Sequence, residues 1–223
     1  MERPFHPRLE DLPALLPVFP LSGVLLLPES RLPLNIFEPR YLAMVQDALG
    51  WGRLIGMVQP GDGRRGGIGK AVPDLFETGC AGRISAFSET EDGRILLTLT
   101  GVCRFAITSE VDSQRGYRRM AVDWTPFRND LTPAADPEWD RAHLLSMLKA
   151  YLKLKNIELN WKAIEAASDL ALALSMPMVL PFDVREKQAM LEAADTTQRG
   201  QTLLALLEMA LAEATGHRTT TKQ

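Results

Sequence analysis

The spacing of hydrophobic residues changes once along this chain, between residues 128 and 135, and this change restricts the fold more than any other feature. Before it, apolar side chains recur at every second position, as in Ile95, Leu97 and Leu99. After it they recur at every third or fourth position, as in Leu144 and Leu148. Alternation is typical of strands and the longer spacing of helices. The sequence therefore predicts an α+β protein with a β-rich subdomain over 12–127, a helical bundle subdomain over 128–216 and a disordered tail over 217–223.

Short apolar runs between turn residues predict the strands of the first half. One helix interrupts them, because Pro39 suits a first helical position and Gly50 can supply a left-handed stop. Glu91, Asp92 and Gly93 form a turn sequence between two strands and predict a hairpin. The predicted strands are 18–21, 24–27, 54–59, 77–87, 94–107 and 117–124.

Capping residues and prolines place the helices of the second half. Asp136-Pro137 predicts the first start, and Pro177 predicts the end of a helix over 169–175. Asp183 and Glu186 form a capping box, in which each side chain accepts a hydrogen bond from the backbone of the other. Two further helices are predicted over 160–167 and from 197 to a stop at Gly216.

The charge balance disfavours nucleic acid as a partner. The formal net charge is −3, whereas proteins that wrap phosphate backbones carry an excess of Lys and Arg. A local basic cluster remains, and it is interpreted as a solvated face. Its members are Arg115, Arg118 and Arg119, joined by Arg64, Arg65 and Arg128.

No residue pattern supplies a catalytic, metal or cofactor site. Gly69-Lys70 lacks both the earlier glycine and the following Ser or Thr of a phosphate-binding loop. The histidines at 6, 143 and 217 have no partner at metal-ligand spacing. Cys80 has no nearby histidine to activate it. If the hairpin turns at Asp92, Cys80 and Cys103 are predicted to be reduced cross-strand neighbours that could oxidise in air.

Two apolar stretches could suggest export or a membrane, and both carry prolines. Residues 12–28 contain Pro13, Pro17, Pro20 and Pro28 and follow two acidic residues, which does not fit a signal peptide. Residues 170–182 are too short to span a bilayer. The expected location is therefore the cytoplasm, without membrane contact.

Several ordered motifs resemble the N-terminal domain of Lon proteases, and most closely its stand-alone bacterial relatives. The first are residues 16–21 (LPVFPL) and 32–41 (LPLNIFEPRY), followed by 101–105 (GVCRF) in the hairpin. The helical half continues the resemblance with 180–183 (LPFD) and 186–188 (EKQ). The resemblance covers about residues 12 to 211.

The resemblance implies a PUA-like β pseudo-barrel followed by a helical bundle, and a role in recognising proteins. It implies no ATPase or protease activity, because the chain has no room for those domains. We therefore expect a non-catalytic, proteolysis-associated module that binds unfolded or apolar polypeptide segments or a protein partner. Two other classes stay open: an RNA-binding module, since PUA-like barrels elsewhere bind RNA, and an unrecognised hydrolase.

Candidate protein-binding residues come from two places. Phe37, Arg40 and Tyr41 lie in the 32–41 motif, where they also have a structural explanation as the start of a helix. Met176 and Met178 flank Pro177, and thioether side chains adapt easily to apolar partners. These five residues form the predicted interaction site.

Overall fold

The computed structural model describes residues 7–61, 74–113 and 115–220. Gly69-Lys70 and most of the glycine-rich run from Gly61 therefore lie outside the described residues. The chain divides into two compact units. The first comprises Met1–Pro133 with Pro181–Leu191, and the second comprises Ala134–Leu180 with Glu192–Gln223. The predicted subdomain boundary at 128 stays a prediction, and the segment that returns to the first unit was not foreseen.

The first unit is built on a six-stranded sheet that closes on itself, in an α+β fold as predicted. The strands are β1 Leu15–Pro20, β2 Arg31–Ile36, β3 Leu54–Val58, β4 Thr78–Glu89, β5 Ile95–Val111 and β6 Arg118–Asp123. Their order in the sheet is β2-β5-β4-β3-β1-β6, and β5 also pairs with β6. Strand β5 is long enough to reach β2 with one half and β6 with the other, while β4 lies beside both halves.

The closed part of the sheet has an apolar interior because alternate residues of each strand point inward. Leu16, Val18, Cys103 and Phe105 are fully buried there. At Gly101 the backbone carbonyl of Leu27 comes so close that an added Cβ would lie 2.0 Å from its oxygen. Glycine is therefore required where the loop 21–30 crosses β5.

The hairpin of β4 and β5 confirms the predicted turn, and Gly93 supplies its positive φ of 78°. Two other expectations were wrong. Residues 24–27 form no strand, although Leu25, Leu26 and Leu27 are buried. Strand β2 was missed, because Pro33 in its sequence obscured the alternation.

Helix α1 (Pro39–Gly50) has the predicted bounds. Its left-handed stop is not Gly50, however. The turn is made by Gly52 (φ 71°) and Arg53 (φ 63°), and the Arg53 amide donates to the Ala48 carbonyl. A non-glycine residue in this conformation is unusual. Trp51, which directly precedes the two left-handed residues, is exposed.

Helix α5 (Val184–Glu192) belongs almost entirely to the first unit. Buried polar side chains of this helix form hydrogen bonds with the rest of that unit. The predicted capping box is confirmed, with Asp183 and Glu186 exchanging bonds of 2.7 and 2.8 Å. Lys187 Nζ donates to the Gly23 carbonyl at 2.8 Å, and burial lowers the pKa of this lysine. Gln188 Nε2 donates to the Thr78 carbonyl.

The second unit contains the remaining α-helices, and three of their ends differ from the predictions. The first begins after Asp140, whose carboxylate accepts from the His143 amide, rather than after Asp136. Pro177 lies inside its helix, since it removes only one bond near the end. The last helix continues past Gly216, so 217–220 are helical, and 221–223 lie outside the described residues. The helices are α2 Arg141–Lys155, α3 Trp161–Ala166, α4 Asp169–Val179 and α6 Thr196–Thr220.

Within the described residues, none of the helices has the length and apolar character needed to cross a membrane.

Candidate functional site

An uncharged groove lies on the outer face of strands β2, β4 and β5. Its volume is about 470 Å³. Leu96 lies at its centre, paired with Ser88 on one side and Asn35 on the other. We call it the sheet-face groove. Its lining residues are Pro33, Leu34, Asn35, Ala86, Phe87, Ser88, Leu96, Leu97 and Thr98.

Three large apolar side chains are exposed at or beside this groove. Leu96 is 45% exposed, Phe87 47% and Phe37 61%. Phe37 follows directly after β2, and the Arg94 guanidinium lies 5.8 Å from its ring centre. Leu96 and Phe37 lie at one end of the β2-β5-β4 ribbon. Phe87 pairs with Leu97 and therefore points to the opposite face of the sheet from Leu96. Large apolar side chains grouped on a surface are typical of binding sites.

A smaller and more enclosed cavity lies between β1, β6 and the end of α1. It encloses about 100 Å³ and is walled mainly by apolar residues. We call it the α1 pocket. Trp51, the most exposed large apolar residue at 76%, is at its rim. The lining residues are Pro13, Leu15, Leu16, Pro17, Asp47, Ala48, Trp51, Leu54, Tyr117 and Arg119.

The charges of the α1 pocket are arranged around Asp47. Its carboxylate accepts from the Tyr117 hydroxyl at 2.8 Å and from Arg115 Nη1 at 2.5 Å. Burial, and secondarily this bond to Asp47, raises the pKa of Tyr117, so the hydroxyl stays a donor at neutral pH. Arg119 lines the same pocket, and among the described residues it has no hydrogen-bond or ion-pair partner.

The five predicted site residues lie in different environments. Phe37 is exposed at the edge of the sheet-face groove. Arg40 is exposed, but its guanidinium pairs with Glu38 at 2.8 Å and lies over the Tyr41 ring. Tyr41 is buried against Phe19, with ring centroids 4.2 Å apart, and therefore serves the core.

Met176 and Met178 lie in α4 of the second unit. Met176 is buried, and Met178 is half-buried beside the exposed Val179. They therefore belong to a different unit from Phe37, Arg40 and Tyr41. No finding tests either set as a binding site, and both stay predictions.

Sequence reasoning missed Leu96, Phe87 and the α1 pocket. A signal for Leu96 was present, because the inward alternation of Ile95, Leu97 and Leu99 assigns Leu96 to the outer face. The pocket has no such signal, since its walls come from three separate stretches of sequence.

The two cysteines are not the cross-strand neighbours that the sequence suggested. Cys80 pairs with Arg104 and Ala81 with Cys103, so the thiols are one position out of register. Adjacent positions on a strand point to opposite faces of a sheet, so the thiols cannot form a bridge in this register. Both are buried and neither is in a disulfide, and burial raises the pKa of Cys103 to about 12. Neither thiol is prepared to act as a nucleophile.

Two of the four described members of the basic cluster are neutralised by carboxylates. Arg115 pairs with Asp47, and Arg118 pairs with Glu110 at 2.7 Å. Within the described ranges, no three His, Cys, Asp or Glu side chains form a group that could hold a metal ion.

The family model that matches this chain is described as the ATP-dependent protease La (LON) substrate-binding domain, and it matches residues 15–209. Among curated proteins, Lon protease 2 of Myxococcus xanthus is 27% identical over 206 residues, covering 89% of this chain. Lon protease of Anaeromyxobacter dehalogenans is 25% identical over 206 residues. The chain spans 24% and 23% of the lengths of these two relatives, about a quarter of each.

Solved structures give the same result for the fold. The Lon N-terminal domain protein from Xanthomonas campestris is 26% identical with a TM-score of 0.58, covering 86% of this chain and 97% of that one. The N-terminal domain of Mycobacterium avium complex Lon protease has a TM-score of 0.59 at 17% identity, covering 87% and 98%.

Proposed function

Because this chain belongs to the family of Lon substrate-binding domains, we propose that it is a non-catalytic module that binds exposed apolar segments of unfolded proteins. The sheet-face groove is the proposed binding surface. Peptide hydrolysis belongs to the named relatives, of whose length this chain spans about a quarter. The proposed role requires only a surface, and no bond is made or broken.

The observation that carries the proposal is the exposure of Leu96 within an uncharged groove, with Phe37 exposed beside it. Burying such side chains against a partner is favourable by about 25 cal/mol per Å² of apolar area. The lining supplies small or amide side chains such as Ala86, Ser88 and Asn35, which impose little sequence preference. A segment that has lost its fold exposes apolar residues of many kinds, which suits a surface of this type.

An extended segment also has a route to hydrogen bonds here. Strand β2 is at the end of the sheet order and pairs only with β5, so its other edge is not covered by a strand of the described sheet. Added strands bind such edges through main-chain bonds. Pro33 cannot donate, which limits how much of this edge a partner can use.

The test is binding of fluorescein-labelled α-lactalbumin, in its reduced and carboxymethylated unfolded form and in its native form, measured by fluorescence anisotropy. We expect the unfolded form to bind more tightly. The double variant Phe37→Ser, Leu96→Ser should weaken that binding by about tenfold or more, as expected when central apolar contacts of an interface are removed.

A matched control removes two exposed apolar side chains from the second unit, with Val179→Ser and Met209→Ser. This variant should bind the unfolded probe as the unmodified chain does. Equal loss in both double variants would contradict the assignment to the sheet-face groove. Equal binding of native and unfolded probe would contradict the proposed substrate class.

A further inference from the structure

We infer that the α1 pocket binds the C-terminal residue of a polypeptide, with an apolar side chain in the cavity and the terminal carboxylate on Arg119. This inference goes beyond the proposed function. It concerns a different surface of the first unit and does not depend on the sheet-face groove.

The dimensions of the cavity fit one apolar side chain. Its volume is about 100 Å³, and Pro13, Leu15, Pro17 and Leu54 contribute to its walls. Apolar cavities of about 150 Å³ accept a benzene molecule, so this one has room for an aliphatic group of the size of leucine. A folded surface or a long segment does not fit into so small a space.

The charges at the pocket favour an anion. Asp47 is already occupied by the Tyr117 hydroxyl and Arg115. Arg119 is half-buried, and among the described residues no carboxylate pairs with it. Arg115, Arg119 and Asp47 together leave one positive charge in excess. A guanidinium beside apolar walls gains a charge-assisted hydrogen bond when a carboxylate arrives.

The end of a chain matches this arrangement better than an internal acidic residue. At a C-terminus the side chain and the carboxylate are attached to the same Cα, so a cation at the rim of a one-residue cavity meets both groups together. At an internal position the carboxylate belongs to one side chain and the apolar group to another. Capture of a terminal carboxylate is a known mode of peptide recognition.

Trp51 can complete the site by covering the bound residue. The turn that ends α1 uses two left-handed residues, Gly52 and Arg53, and the indole remains 76% exposed at the pocket rim. A large aromatic side chain left in water beside a cavity gains from burial when the cavity is filled.

The experiment measures anisotropy of a fluorescein-labelled glycine-serine peptide that ends in leucine with a free carboxylate. The first comparison uses the unmodified protein and the same peptide with an amidated C-terminus. We expect the amide to bind about tenfold more weakly, the loss typical of one charge-assisted contact. A peptide that ends in serine should also bind more weakly, because it leaves the cavity unfilled.

Variants then assign the effect to residues. Arg119→Gln should remove the preference for the free acid over the amide, whereas Arg118→Gln, a change on the same strand at a residue paired with Glu110, should keep it. Trp51→Ala should weaken binding of the free-acid peptide and of the amidated peptide. Leu96→Ser alters the sheet-face groove and should leave this binding unchanged, which separates failure here from failure of the proposed function.

Three results would overturn the inference. One is equal affinity for the acid and the amide in the unmodified protein, a comparison that needs no variant to fold. Another is an undiminished preference for the acid in Arg119→Gln. The third is no binding of the free-acid peptide at about 1 mM, the weak end of specific recognition.

Discussion

Replacing Asp130 by alanine should lower the free energy of unfolding of the first unit by about 3–5 kcal/mol, the usual loss when one partner of a buried ion pair is removed. Arg104 and Asp130 form a two-pronged pair, with Nε and Nη2 each donating at 2.8 Å. Both side chains are nearly inaccessible to water. The guanidinium would therefore stay buried after the substitution, and its charge would lose its counter-ion.

Contacts of Arg104 with neutral groups do not replace its counter-ion. Nη1 donates to the Leu191 carbonyl at 3.0 Å, and the guanidinium carbon lies 4.8 Å from the Phe127 ring centre. The Arg104 backbone amide, which donates to Asp130 Oδ2 at 2.9 Å, would lose this acceptor. A buried donor without an acceptor adds about 1–3 kcal/mol of its own, so we expect the upper part of the range.

Urea unfolding at pH 7, followed by tryptophan fluorescence, measures this loss. Trp124 contacts Phe105, the neighbour of Arg104, and reports on this region. The double variant Arg104→Met, Asp130→Leu should be more stable than Asp130→Ala, because it removes both charges. Glu110→Ala removes a more exposed pair and should cost about 1 kcal/mol or less. A loss below about 1 kcal/mol in Asp130→Ala, or a double variant less stable than the single, would refute the argument from burial.

Two further predictions use the same unfolding assay. Gly101→Ala should destabilise the first unit by about 1–3 kcal/mol, because the new Cβ meets the Leu27 backbone. The control Gly50→Ala lies in open space at the end of α1, and it should leave stability unchanged or raise it by up to about 1 kcal/mol. Similar losses of stability in both variants would contradict the explanation by close backbone contact. Burial raises the pKa of Cys103 from 9.0 to about 12, so the folded state keeps a proton that the unfolded state loses, and stability present below pH 9 should fall as the pH rises from 9 toward 12. Cys103→Ala should show a shallower fall between pH 8 and 10.5, and an identical pH dependence would show that another group is responsible.

Local patterns predicted those parts of the fold that depend on neighbouring residues. Period-two spacing located β4 and β5, and the capping box at Asp183 was confirmed by its two hydrogen bonds. The same logic failed for residues 24–27, because the run is buried by crossing β5 at Gly101 and not by pairing in the sheet. Burial and strand pairing produce the same hydrophobic run, and only tertiary structure separates them.

The candidate surfaces show the same limit. Phe37 was singled out from its motif, and Leu96 could have been found from its phase within β5. The α1 pocket could not, because it joins residues 13–17, 47–54 and 117–119. Arg119 was assigned to a solvated basic face, and its isolation becomes visible only when Arg115 and Arg118 are seen with their carboxylates. Pairing at a distance of about 70 residues, as between Arg115 and Asp47, leaves no periodic signal.

The exposed side chains of the sheet-face groove also set the strength of binding that the proposed function allows. Full burial of a Phe or Leu side chain is worth about 1.5–3 kcal/mol, and roughly half of each of Phe37 and Leu96 remains to be buried. Together they supply roughly 1.5–3 kcal/mol, which the cost of association largely offsets. The groove alone should therefore hold an unfolded segment weakly and release it quickly. A second contact with a different chemistry, such as the carboxylate site inferred at the α1 pocket, would let one chain be held at two points and raise its apparent affinity without making either contact tight.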